Sequence, residues 1–181
     1  MIKNDLILDA AAEVLSKRPD ATLQTIATAA GVSRTTIFNK FPTRDVLLQA
    51  LARDALDRIG EVMAKVPDGD GETVSSVIAE VTAGLMPLGP RTMFLRVVPG
   101  LASDLDMHWE RAVTPLAVYI HNAQSRRLVR SDHPARWLVA SYIGLLFAAW
   151  DEIANGENGR AQAARLVVQT WLDGSLYTPE T

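Results

Sequence analysis

The sequence predicts an all-α fold: a three-helix N-terminal helix-turn-helix unit, joined by a long fourth helix to a helical C-terminal domain. Three observations lead there. Residues 22–41, TLQTIATAAGVSRTTIFNKF, divide at Gly31 into two short segments, each with an apolar face. Residues 44–65 run on with only Gly60 weighing against a helix. Each later segment, marked off by proline and glycine, repeats its apolar residues at helical spacing.

Residues 4–17 form the first helix, with Leu6, Ile7, Ala10, Ala11, Val14 and Leu15 as its apolar stripe. Lys17 and Arg18 complement the dipole at its end, and Pro19 stops it. Such a helix packs across the next two and closes a three-helix domain. Thr22 is placed to N-cap the second helix, whose apolar face is Leu23, Ile26, Ala27 and Ala30. Gly31 follows where a helix end takes the left-handed conformation, and Ser33 is the next N-cap. The third helix, residues 33–41, turns Ile37, Phe38 and Phe41 inward and Arg34, Thr35, Thr36, Asn39 and Lys40 outward. Two helices so joined lay the second one in the major groove of DNA.

Pro42 ends that helix, Thr43 caps the next, and Asp45 suits its N-terminal dipole. A helix over residues 44–65 extends about 33 Å, with Val46, Leu47, Leu51, Ala55, Ile59, Val62 and Met63 facing a core. It outreaches a DNA-binding unit of this size and so ties that unit to the C-terminal helices. Residues 66–72 read as an exposed turn. Its Asp68, Asp70 and Glu72 lack the spacing of a calcium loop. Helices are expected over 73–86, over 92–98 (ended by Pro99 and Gly100), and over 103–127, kinked or divided at Pro115. Residues 133–154 form a helix apolar nearly all round, and residues 160–172 a last amphipathic one.

At 181 residues, 48% apolar and 22% charged, the chain has the composition of a globular protein with an ample core. Without cysteine it makes neither disulfides nor thiolate metal sites. The opening residues carry Asp5 and Asp9 and form no secretory signal. The longest uncharged run, residues 137–150, is too short for a bilayer. A cytoplasmic location and no membrane partner are expected. The net charge of −3 is unevenly spread: residues 1–66 hold nine Lys/Arg against eight Asp/Glu, and residues 33–44 hold three basic residues and no acid. That is the modest positive footprint of a protein that reads sequence, not of one that coats DNA.

No motif of enzyme chemistry is present: no phosphate-cradling loop, no His-Glu-x-x-His pair and no nucleophile elbow. His108, His121 and His133 have no metal-ligand spacing. No enzyme activity, metal or cofactor is expected. Trp109, Trp137, Trp150 and Trp171 are taken as core or interface residues.

The stretch with Thr22, Ile26-Ala27, Ala30-Gly31-Val32-Ser33, Phe38, Phe41, Arg44 and Leu47 resembles, without a gap, the DNA-binding motif of the tetracycline-repressor (TetR) family. Phe38 stands where that family usually has tyrosine, and Arg44 where it usually has lysine. The resemblance covers about the first quarter of the chain and implies a division into a DNA-binding domain (1–47) and an effector-binding and dimerisation domain (48–181). It implies a homodimeric repressor whose two third helices enter successive major grooves of a palindromic double-stranded operator, about 34–36 Å apart. Arg34 would pair with guanine, and Thr35 or Thr36 would meet a base edge or thymine methyl. Asn39, Lys40 and Arg44 would reach phosphates or flanking bases, with Thr22, Thr25 and Thr43 as further backbone contacts, and Ser33 and Phe38 complete the expected DNA-binding set.

For a small, largely apolar or aromatic effector, Met63, Leu85, Met86, Met93, Phe94, Met107, Trp109 and Trp150 are candidate walls. His108, Arg111, Tyr119, His121 and Asn122 are candidate polar groups. Each of them, taken singly, also reads as an ordinary structural residue. Leu138, Tyr142, Leu145, Ala149, Leu166 and Val168 are candidates for a four-helix bundle between two subunits. The alternative places them inside one subunit. In the resembled family, effector binding favours a conformer whose DNA-reading heads have the wrong separation. A ligand-independent regulator or an activator would share the whole N-terminal third, and a helical-bundle enzyme is the remaining class.

Overall fold

The computed structural model describes residues 2–67, 72–94 and 102–176. The expected turn carboxylates Asp68 and Asp70, and the Pro99-Gly100 stop, lie outside them. The order is α1 (Ile2–Lys17), α2 (Leu23–Ala29), α3 (Arg34–Lys40), α4 (Arg44–Met63), α5 (Val74–Leu85), a 3-10 turn (Met86–Leu88), α6 (Gly89–Met93), α7 (Ala102–Ser125), α8 (Ala135–Ala154) and α9 (Arg160–Ser175). Among the described residues there is no strand, only an isolated bridge between Val129 and Leu176. The chain divides into two compact units, one of residues 1–58 and 88–109, the other of residues 59–87 and 110–181. The 47/48 division read from the sequence therefore differs from the compact units, because α6 and the start of α7 pack with the N-terminal helices.

In the first unit α1 buries Ile7, Leu8, Ala11, Ala12 and Leu15, and α4 buries Leu47, Leu48, Leu51, Ala52 and Ala55. Val46 instead faces out. A charged residue sits in this unit's interior: Arg91 of α6 is buried and donates to Asp54 of α4 and to Asp9 of α1. Arg58 Nε donates to the same Asp54 carboxylate at 3.1 Å. A guanidinium can be buried here because carboxylates on two helices meet its fork. α6 begins ahead of the expected residue 92, with Pro90 in its first turn; proline's fixed φ favours that place.

In the second unit α5 approaches the end of α4 so closely that a Cβ on Gly84 would stand 2.7 Å from Val62 Cγ1. Trp150 Nε1 donates to Met86 O at 3.2 Å, and Trp171 Nε1 to Leu138 O at 2.9 Å, so both buried indoles are satisfied. Tyr142 is wholly buried, its hydroxyl 2.8 Å from Thr82 Oγ1 and its ring edge-on to Trp171. Pro115 lies inside α7 without dividing it. The carbonyl it leaves unpaired is that of Arg111, an exposed position where water can serve it. α9 runs past residue 172 to Ser175, whose carbonyl accepts from Arg130 N–H at 2.9 Å.

Candidate nucleic-acid interface

The two helices of the turn are started and stopped by local chemistry. Thr22 Oγ1 accepts from Thr25 N–H at 3.2 Å, and Ser33 Oγ from Thr36 N–H at 3.1 Å. Each bond satisfies a first-turn donor that has no partner within its helix. Between them Gly31 takes φ +64°, with Val32 N–H bonded to Ala27 O at 3.0 Å and Gly31 N–H to Thr28 O at 3.2 Å. That pair of crossed bonds is a Schellman motif, and it sets the angle at which α3 leaves α2.

Helical phase then decides what α3 displays. Ile37 is fully buried and Phe41 nearly so, whereas Arg34, Thr35, Phe38, Asn39 and Lys40 are exposed. Phe38 was expected inward, but one residue past Ile37 the helix has turned about 100° and carries it to the solvent edge. There the Arg34 guanidinium lies over its ring, 5.3 Å from the centroid.

Several expected contact residues are engaged by the protein itself. The hydroxyls of Thr22 and Thr25 lie 3.1 Å apart, and those of Ser33 and Thr36 2.8 Å apart, so these four side chains build caps. Thr35, not Thr36, is the exposed threonine of the first turn. Thr43 Oγ1 accepts from Val46 N–H at 3.3 Å as the cap of α4. Arg44 departs furthest from expectation. Its Nε donates to Ala21 O at 3.3 Å and its Nη2 to Pro19 O, bracing the α1–α2 connection against the start of α4. This bracing was not read from the sequence; the carbonyls of Pro19 and Ala21, past the end of α1, lie within reach of its fork. Arg44→Lys should lower stability by about 1 kcal/mol, since an ammonium lacks the second arm. Thermal unfolding of both proteins checks this; unchanged stability with weakened DNA binding would return Arg44 to the phosphates.

The model of the family described as "Bacterial regulatory proteins, tetR family" matches residues 7–51, the helices just described. Beyond the head, the chain is 27% identical over 177 residues to the HTH-type transcriptional repressor LfrR of Mycolicibacterium smegmatis, covering 97% of this chain and 91% of LfrR. Residues 7–51 are thus a TetR-type DNA-binding head, and the chain is a DNA-binding transcriptional regulator. It is a DNA-binding protein and not an enzyme. The structure of LfrR in complex with proflavine superposes on this chain with TM-score 0.72 and 28% identity, covering 98% of this chain and 97% of that one. The fold also matches a TetR-family regulator from Rhodococcus sp., TM-score 0.74 at 18% identity, covering 94% and 97%.

The expected effector residues do not form one group in this regulator. Met63, Leu85, Met86, Phe94, Tyr119 and Trp150 are buried, and Met93, His108 and Trp109 half-buried. Met107 is 80% exposed, and Arg111, His121 and Asn122 lie outward on α7, whose buried face is instead Ala112, Val113, Leu116, Tyr119, Ile120 and Ala123. The phase of one helix thus sets these four residues on the surface of the chain. Burial raises the pKa of the Tyr119 phenol, and of Tyr142 more strongly. A cleft of about 250 Å³ in the second unit is lined by Val62, Lys65, Val66, Pro67, Val77, Glu80, Val81, Ala83 and Gly84, none of them among the expected pocket residues.

The interface candidates also divide. Leu138, Tyr142 and Ala149 are buried within the subunit, Leu145 and Val168 are half-buried, and Leu166 is exposed. α8 is long and apolar enough to cross a membrane by length and composition, but its two faces have separate uses. One packs inside the unit through Leu138, Tyr142 and Leu146, while the opposite one exposes Trp137, Ala140, Gly144 and Ala148. That exposed stripe escaped the sequence reading. Its 3–4 residue spacing was visible, but nothing local distinguishes it from the equally apolar inner face.

Proposed function

We propose that this regulator is a homodimeric repressor that binds a palindromic operator and leaves it on binding a small, largely apolar or aromatic effector. Residues 1–47 would carry DNA contact, and residues 48–181 effector binding and dimerisation. The observation that carries the reading is the outward face of α3, where Arg34, Thr35, Asn39 and Lys40 stand exposed over the buried Ile37 and Phe41. A seven-residue helix seated on two apolar side chains leaves its opposite face for a major groove. The likeness to the repressor LfrR, solved with proflavine, supports both repression and a small-molecule effector. Its place beside DNA puts the protein in the cytoplasm.

Selection of duplexes from a randomised library, followed by footprinting, tests the reading. A palindrome with half-site centres about one helical turn apart, released on titration with proflavine or related aromatic compounds, is the expected result. Enrichment of no sequence would sink the DNA assignment, and binding indifferent to every compound would leave a ligand-independent regulator.

Dimerisation is assigned to the exposed stripe of α8 with Leu166 of α9. Close packing of two helices needs small residues at the crossing, and Ala140, Gly144 and Ala148 supply them beside the Trp137 ring. A Cβ on Gly144 meets nothing within 4 Å in the subunit, so Gly144→Arg should leave the monomer folded and block the seam. Sedimentation should show wild-type dimer and variant monomer with equal helical content. A dimeric Gly144→Arg protein would move the interface elsewhere.

A further inference from the structure

We infer that Phe38 is a positioning residue for sequence readout, holding Arg34 in the rotamer that meets the operator base; the inference rests on the reading of α3 as the recognition helix. The two residues are four apart, so the helix stacks them one turn over the other on its exposed side. The Arg34 guanidinium lies 5.3 Å from the Phe38 ring centroid, inside the range of cation–π attraction. Among the described residues no carboxylate lies within ion-pair distance of Arg34.

Those two facts act together. An exposed arginine samples many rotamers and loses that freedom when it binds. A carboxylate partner would restrict it too, but would occupy the N–H fork that must later pair with guanine O6 and N7. An aromatic face restricts the cation without accepting from a particular N–H, so the donors stay available. This also gives a use to a phenylalanine ring at the solvent edge of a helix whose neighbouring Ile37 and Phe41 are buried. Having no hydroxyl, the ring makes no phosphate hydrogen bond, and its contribution runs through Arg34.

The test uses the full-length protein and a duplex enriched by the wild type from a randomised library. Affinities for that duplex and its single-base-pair variants are measured at one salt concentration for wild type, Phe38→Leu, Phe38→Tyr, Arg34→Ala and the double variant Arg34→Ala/Phe38→Leu. Phe38→Leu should weaken binding about two- to fivefold per half-site, and about four- to twenty-fivefold on a palindrome. Its loss of discrimination should fall at the base pair where Arg34→Ala loses it. Phe38→Tyr, which keeps the ring, should keep that discrimination. In the Arg34→Ala background Phe38→Leu should cost nothing further. Equal losses at every base pair, full additivity with Arg34→Ala, or no loss at all would each overturn the inference while leaving α3 the reading helix. If Arg34→Ala itself binds all variants as the wild type does, the reading of α3 falls with it.

Discussion

Replacing Arg34 with alanine should weaken operator binding by about 1–3 kcal/mol at each half-site and erase preference at one base pair there. Arg34 is the first residue of α3 and exposed, so its side chain carries none of the packing that seats the helix. Ser33 keeps its cap and Ile37 its burial in the variant, and a surface change of this kind leaves stability within about 0.5 kcal/mol. On a palindrome the two losses compound to about 2–6 kcal/mol. Fluorescence anisotropy on the enriched duplex and its single-base variants reads the effect. Equal losses on operator and random DNA would reassign the residue to a phosphate.

Trp171→Ala should lower unfolding free energy by about 3–5 kcal/mol, the cost of emptying a large aromatic site in a core. The indole is 2% exposed, donates to Leu138 O at 2.9 Å and meets the Tyr142 ring edge-on at 6.1 Å. Its removal opens a void between α8 and α9 and takes away both the hydrogen bond to Leu138 and the edge contact with Tyr142. Trp171→Phe keeps most of the volume and should cost markedly less. Urea unfolding of the three proteins gives the ranking. A loss below about 1 kcal/mol for alanine would mean that the α8–α9 contact is looser than described.

The head was largely legible because its decisive interactions are short in sequence. Thr22 reaches Thr25, Ser33 reaches Thr36, and Gly31 answers a helix end one residue before it; each is settled within a turn of chain. The bracing bonds of Arg44 were not legible for the opposite reason: its partners, Pro19 and Ala21, lie more than twenty residues away. The interface and pocket candidates divide between core and surface for the same reason. On a helix such as α8, apolar on both faces, composition says that each face wants cover and is silent on what covers it.

The sequence by itself therefore determined the helices, their caps and the turn that presents α3, since backbone hydrogen bonding and 3.6-residue periodicity act within a few residues. Only the tertiary structure decided that Tyr142 and Leu138 face inward, that Trp137 and Gly144 face out, and that Arg91 is buried between Asp9 and Asp54. Those choices turn on which distant helix arrives at which face, and no local pattern encodes the identity of a partner many residues away.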